Sequence, residues 1–185
     1  MTIKFRGYLK NNNQLKSVDE SRLEKMAIGW IDYLFVFLII LYPLTKSLKL
    51  LIFKYNGKIL NVFLIDILGF IIVILLMIVH EYFHAITFSK KEDIYIWFQG
   101  FGMMTHCTEI KNVKEYLYTL LLPNLCITLP LSIFVIFVKL SNPLILKVIG
   151  LVSSIIILGA INDLATIVYI IRNRKQIEYL QLSGK

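Results

Sequence analysis

Residues 80–84 read His80-Glu81-Tyr82-Phe83-His84. On a helix, residues four apart share one face, so the two imidazoles can hold one metal ion between them. Glu81 projects beside that ion, where it can take a proton from bound water. The pattern H-E-x-x-H is therefore a candidate for metal-assisted hydrolysis. It closes a long apolar run, and a charge at the centre of a spanning helix costs about 2.5–3.5 kcal/mol on insertion scales. A glutamate between two histidines needs compensation there, which a metal ion supplies. The plainer reading is a polar helix end that reaches to the membrane interface.

A catalytic zinc takes three protein ligands and keeps one position open for water. The extended spacing H-E-x-x-H-x-x-G-x-x-H is absent, because positions 87 and 90 are Thr87 and Lys90. The third ligand must come from elsewhere, and the candidates are Asp163, His106, Glu109 and Asp93. Asp163 is the first choice. It lies within the last apolar run, about eight residues before that run ends at Arg172, while His84 and His80 lie about four and eight residues before their own run ends. If both helices cross the membrane in the same direction, the depths match, and a buried carboxylate has few better partners than a metal. His106 is the runner-up, with an ordinary loop histidine as its plainer reading. Asn124, after Pro123, falls at the same depth. Its amide could donate to a developing oxyanion or hold substrate backbone, or simply join two helices. Asn162 could orient the metal ligands as an outer hydrogen-bond partner. Asp66 is too far toward the other membrane face to ligate, and Asp32 reads as an interfacial group.

Four apolar runs must position these groups: 29–45, 59–88, 115–138 and 143–171. Each can cross a hydrocarbon core of roughly 30 Å, the first only just. The whole chain of 185 residues agrees: 57% are hydrophobic, 17% are charged, and mean hydropathy is +0.71. That composition excludes a soluble globular enzyme, a disordered chain and a secreted disulfide scaffold. The expected fold is all-α, four transmembrane helices with a small β-hairpin or re-entrant segment between the second and third. The hairpin is read from Ile94-Tyr95-Ile96-Trp97-Phe98, the turn-like Gln99-Gly100-Phe101-Gly102, and a return over 103–110. Residues 1–28 read as a solvated tail with a short surface helix over 18–26, residues 29–171 as the membrane domain, and residues 172–185 as a second tail. The net charge of +8 suits anionic lipid rather than nucleic acid. Lys and Arg number fourteen in the two tails and the connection between the second and third helices, against six in the rest of the chain. Both termini are therefore expected in the cytoplasm. Cys107 would then lie on a reducing side, where a bridge to Cys126 would not persist.

An intramembrane H-E-x-x-H, a β-rich segment after it, a further helix, and an Asp about eighty residues on resemble the site-2-protease class of intramembrane zinc metalloproteases. More closely, the chain resembles the small bacterial membrane proteins called "putative zincin peptidases", through His80, Glu81, His84, the Asn162-Asp163 pair, and Thr105-His106-Cys107 followed by Glu109. The resemblance covers residues 59–171. It departs from the main site-2 proteases in that Asp163 is followed by Leu164, not glycine, and no substrate-gating PDZ domain fits the length. It implies Zn²⁺ held by His80, His84 and Asp163, Glu81 as general base, and a transmembrane or membrane-proximal peptide as substrate, in a bacterial plasma membrane. The alternative is a non-enzymatic membrane protein with a structural or transport-related metal site. The retained Glu81 base speaks for hydrolysis. The sequence sets no oligomeric state.

Overall fold

The computed structural model describes residues 2–8, 28–52, 59–88, 93–99, 102–107, 109–174, 177 and 179–181. Among the described residues, four stretches are long and apolar enough to cross a membrane: Trp30–Leu51, Phe63–Ile86, Val113–Phe137 and Pro143–Asn173. They correspond to the four apolar runs. The first two are the single helices α1 (Trp30–Leu51) and α2 (Ile59–Ile86). The last two are each interrupted. The third consists of α3 (Val113–Pro123), one π-helical turn (Asn124–Thr128) and α4 (Leu129–Phe137). The fourth divides at Ala160 into α5 (Pro143–Gly159) and α6 (Ile161–Asn173).

The π turn lies between two prolines. A helical Pro130 ring would press on the carbonyl four residues back, and a wider turn relieves that conflict. The Leu129 amide accordingly donates to the Asn124 carbonyl, five residues back. Helix starts follow ordinary capping rules. Asn112 and Glu115 cap α3 reciprocally, at 3.0 and 3.3 Å. The Asn142 side chain accepts from the Leu144 and Ile145 amides, with Pro143 opening α5.

Small residues bring α1 and α5 together. A Cβ on Gly150 would stand 2.5 Å from the Leu51 amide nitrogen and 2.8 Å from the Ser47 carbonyl oxygen, so the backbones nearly touch. Val36, Ile40, Leu44, Ile157 and Ala165 form one buried cluster there, and Val73, Ile127, Val152 and Ile156 form another between α2 and the later spans. Asp32, near the start of α1, is shielded by protein. It is fully buried, caps the Gly29 amide at 2.9 Å and pairs with Arg172 at 3.1 Å, tying α1 to α6. Asp66 pairs with Lys147 at 2.8 Å and joins α2 to α5.

Between α2 and α3 lie β2 (Asp93–Gln99), β3 (Gly102–Cys107) and β4 (Ile110–Asn112). β2 and β3 form the expected antiparallel hairpin, with Tyr95 opposite His106 and Ile96 opposite Thr105. The ends of the chain join in. Thr2–Tyr8, within the stretch read as a tail, is strand β1 and pairs parallel to β2. Tyr179–Gln181 is β5, antiparallel to β4. The helix expected over 18–26 lies outside the described residues. Both ends of the chain thus gather with the α2–α3 connection at one end of the bundle. Ala85, Phe88, Ile94 and Cys107 pack α2 against that sheet. Among the described residues neither Cys107 nor Cys126 is in a disulfide.

Candidate metal centre

The last turns of α2 carry His80, Glu81 and His84. Helical spacing sets the two imidazole rings edge to face, 5.0 Å apart between centroids. One ligand atom from each of these three residues lies within 4.8 Å of the others. Asp163, in the first turn of α6, reaches across from the fourth span. Its Oδ2 stands 3.0 Å from His80 Nε2 and 3.2 Å from His84 Nε2. The interruption at Ala160 makes Asp163 part of a helix start, where the dipole favours a carboxylate.

The orientation of His84 follows from the sequence of α3. Pro123 has no amide hydrogen, so the Thr119 carbonyl, four residues back, lacks its usual helical donor. His84 Nδ1 takes up that free carbonyl at 2.9 Å. A carbonyl only accepts, so Nδ1 carries the hydrogen and Nε2 of the neutral ring holds a bare lone pair. This bare nitrogen faces a carboxylate oxygen. Two acceptors 3.2 Å apart are stable only with a positive charge between or on them, either a proton or a metal ion. The spacing also suits an ion. Zinc bonds of about 2.0–2.2 Å in a tetrahedron place neighbouring ligand atoms about 3.3–3.5 Å apart, close to the separations found here. The donor set of two imidazoles and a carboxylate thus fits zinc.

Glu81 is buried beside the histidines, and the Thr105 hydroxyl of β3 donates to its Oε2 at 2.6 Å. The sequence reading names Thr105 only within the Thr105-His106-Cys107 segment, with no role of its own. Successive strand side chains point to opposite faces, so with Thr105 turned to Glu81, its neighbour His106 turns away. His106 is buried, and it is not among the residues whose ligand atoms group at the centre. The structure does not bring it to the cluster. Glu109 lies beside Lys111 on a separate cavity of about 480 Å³, and Asp93 opens β2.

Asn124 does reach the centre, at the start of the π turn. Its Nδ2 donates to Asp163 Oδ2 at 3.3 Å and to the Leu120 carbonyl at 2.8 Å, while its Oδ1 is buried without a partner among the described atoms. With both amide hydrogens engaged, it orients Asp163 rather than offering a free oxyanion donor. Asn162 is exposed and accepts from the Tyr33 hydroxyl at 3.4 Å, so it contacts α1 instead of supporting the ligands.

A second polar cluster lies behind His84. Lys111 of β4 is buried, and its Nζ donates to the Thr87 carbonyl at 2.7 Å, to Thr87 Oγ1 at 3.0 Å and to Thr119 Oγ1 at 2.8 Å. Burial pushes the Lys111 ammonium below the ordinary lysine pKa, against the opposing pull of Glu109, Cys107 and Glu115.

A family model described as "Putative zincin peptidase" matches residues 73–177, more than half of the chain. The match takes in His80, Glu81, His84, Thr105, Asn124 and Asp163. No curated protein and no solved structure matches the chain. With an H-E-x-x-H helix, a carboxylate converging on it and this match, the chain belongs to the family described as putative zincin peptidase, whose name is that of a zinc metallopeptidase.

Proposed function

We propose that the chain is an intramembrane zinc metallopeptidase that hydrolyses a peptide bond in a transmembrane or membrane-proximal segment. The observation that carries this reading is the meeting of Asp163 Oδ2 with both histidine Nε2 atoms, beside a buried glutamate. His80, His84 and Asp163 would hold the ion. Bound zinc would lower the pKa of water to about 7 and polarise the scissile carbonyl. Thr105 steadies Glu81 through Oε2 and leaves Oε1 to accept the proton of the attacking water. Glu81 then returns that proton to the leaving amine. A helical substrate must unwind first, because its amides are hydrogen-bonded and shielded. β3 is an edge strand beside Glu81, suited to hold an extended segment by strand addition. The charge count supports both termini, the sheet and the centre lying on the cytoplasmic side of the plasma membrane.

A closed structural site would want a fourth protein ligand, and His106 faces away from the centre. Glu81→Gln separates hydrolysis from a purely structural role. The variant keeps all three ligands and the acceptor for Thr105. It should bind zinc as the wild type does and lose about 10²–10⁴ in rate of cleavage of a co-expressed membrane reporter. Undiminished cleavage would refute the mechanism.

A further inference from the structure

Lys111 lies outside the reacting groups, yet its burial is unusual for a lysine. An ammonium has three hydrogens, and here all three meet oxygen, none of it carboxylate. Its charge sits 3.9 Å from the centroid of the Phe88 ring and at the carbonyl end of α2, where the helix dipole favours a cation. Simple capping of α2 would need only the bond to Thr87 O. The other two bonds go to one hydroxyl just past the end of α2 and one on α3, and these two hydroxyls lie 2.8 Å from each other.

Both threonines hold His84. The Thr87 hydroxyl donates to the His84 main-chain carbonyl at 2.7 Å. The Thr119 carbonyl accepts from the His84 ring at 2.9 Å, and the Thr119 hydroxyl donates to the Glu115 carbonyl at 3.0 Å. One imidazole is thus gripped at backbone and ring by two residues that a single ammonium ties together. The position of His84 Nε2 depends on the α2–α3 junction, and Lys111 is the bolt of that junction.

We propose that Lys111 is a positioning residue for the metal centre, holding His84 with Nδ1 on the Thr119 carbonyl and Nε2 toward Asp163. Its effect on zinc rests on the metallopeptidase reading above. Its effect on the imidazole does not.

The test uses the full chain in detergent with Lys111→Met and Thr119→Val. Lys147→Met serves as control, because it breaks an ion pair on α2 some 14 residues from His80, roughly 21 Å along the helix. One readout is exchange of the His84 Nδ1 hydrogen with solvent, followed in metal-free protein labelled with ¹⁵N-histidine. The other is zinc affinity by competition with a chromophoric chelator. Lys111→Met and Thr119→Val should each speed that exchange at least about tenfold and weaken zinc about 10–100-fold, the range typical of groups that orient metal ligands. Lys147→Met should change neither. Wild-type exchange and affinity in Lys111→Met would overturn the proposal and leave the metal centre standing. Equal losses in Lys147→Met would overturn it too, as general loosening. Faster exchange in Lys111→Met, with no zinc bound by the wild type, would support the positioning role and refute the metallopeptidase reading.

Discussion

Replacing Asp163 with alanine separates the proposed ligand set from its rivals. Asp163 Oδ2 is the meeting point of His80, His84 and Asn124, at 3.0, 3.2 and 3.3 Å. Truncation does not strand the last two. His84 keeps the Thr119 carbonyl, and Asn124 keeps the Leu120 carbonyl. The fold should therefore lose only about 1–3 kcal/mol, the worth of a hydrogen bond or two to a charged group. The effect on zinc is larger. Groups that merely orient ligands are worth about 10–100-fold in metal affinity, so removal of one of three ligands should cost at least about 100-fold, or about 2.7 kcal/mol. The assay is zinc content of detergent-purified protein by elemental analysis, followed by chelator competition. The wild type and His106→Ala should each hold about one zinc per chain, and Asp163→Ala should lose it under conditions the others survive. Zinc retained at wild-type affinity without Asp163, or lost without His106, would refute the assignment and move the third ligand to the β3 segment.

Thr105→Val should leave zinc affinity unchanged and slow reporter cleavage about tenfold, because Glu81 loses the hydroxyl that steadies it. An unchanged rate would remove β3 from the mechanism. Pro123→Ala supplies an amide hydrogen that competes with His84 for the Thr119 carbonyl, so chelator competition should show zinc bound several-fold more weakly even if the helix itself becomes more stable. Gly150→Ala should destabilise the fold by about 1–3 kcal/mol in thermal unfolding, since its methyl group meets the backbone of α1 rather than a flexible side chain.

What the sequence determined by itself is local or periodic. H-E-x-x-H acts within one helix, so spacing alone places His80, Glu81 and His84 together. The four spans follow from apolar length, since the bilayer sets one thickness for all of them. Asp163 could be matched to the histidines because depth in a membrane is a single coordinate, counted from the ends of two runs. The rest depended on pairings between distant segments. A slip of one residue in β3 would exchange Thr105 for His106 at Glu81, and strand composition carries no such register. Strands β1 and β5 are made from residues that are unremarkable alone and gain partners only when both ends of the chain return to one side of the bundle. The prolines in the third run were visible, but not that one would widen a turn and the other would free the Thr119 carbonyl for His84. Lys111 looked like one more loop cation. Only the packing of β4 between α2 and α3 buried its charge and turned its three hydrogens onto the residues that hold a metal-ligand candidate.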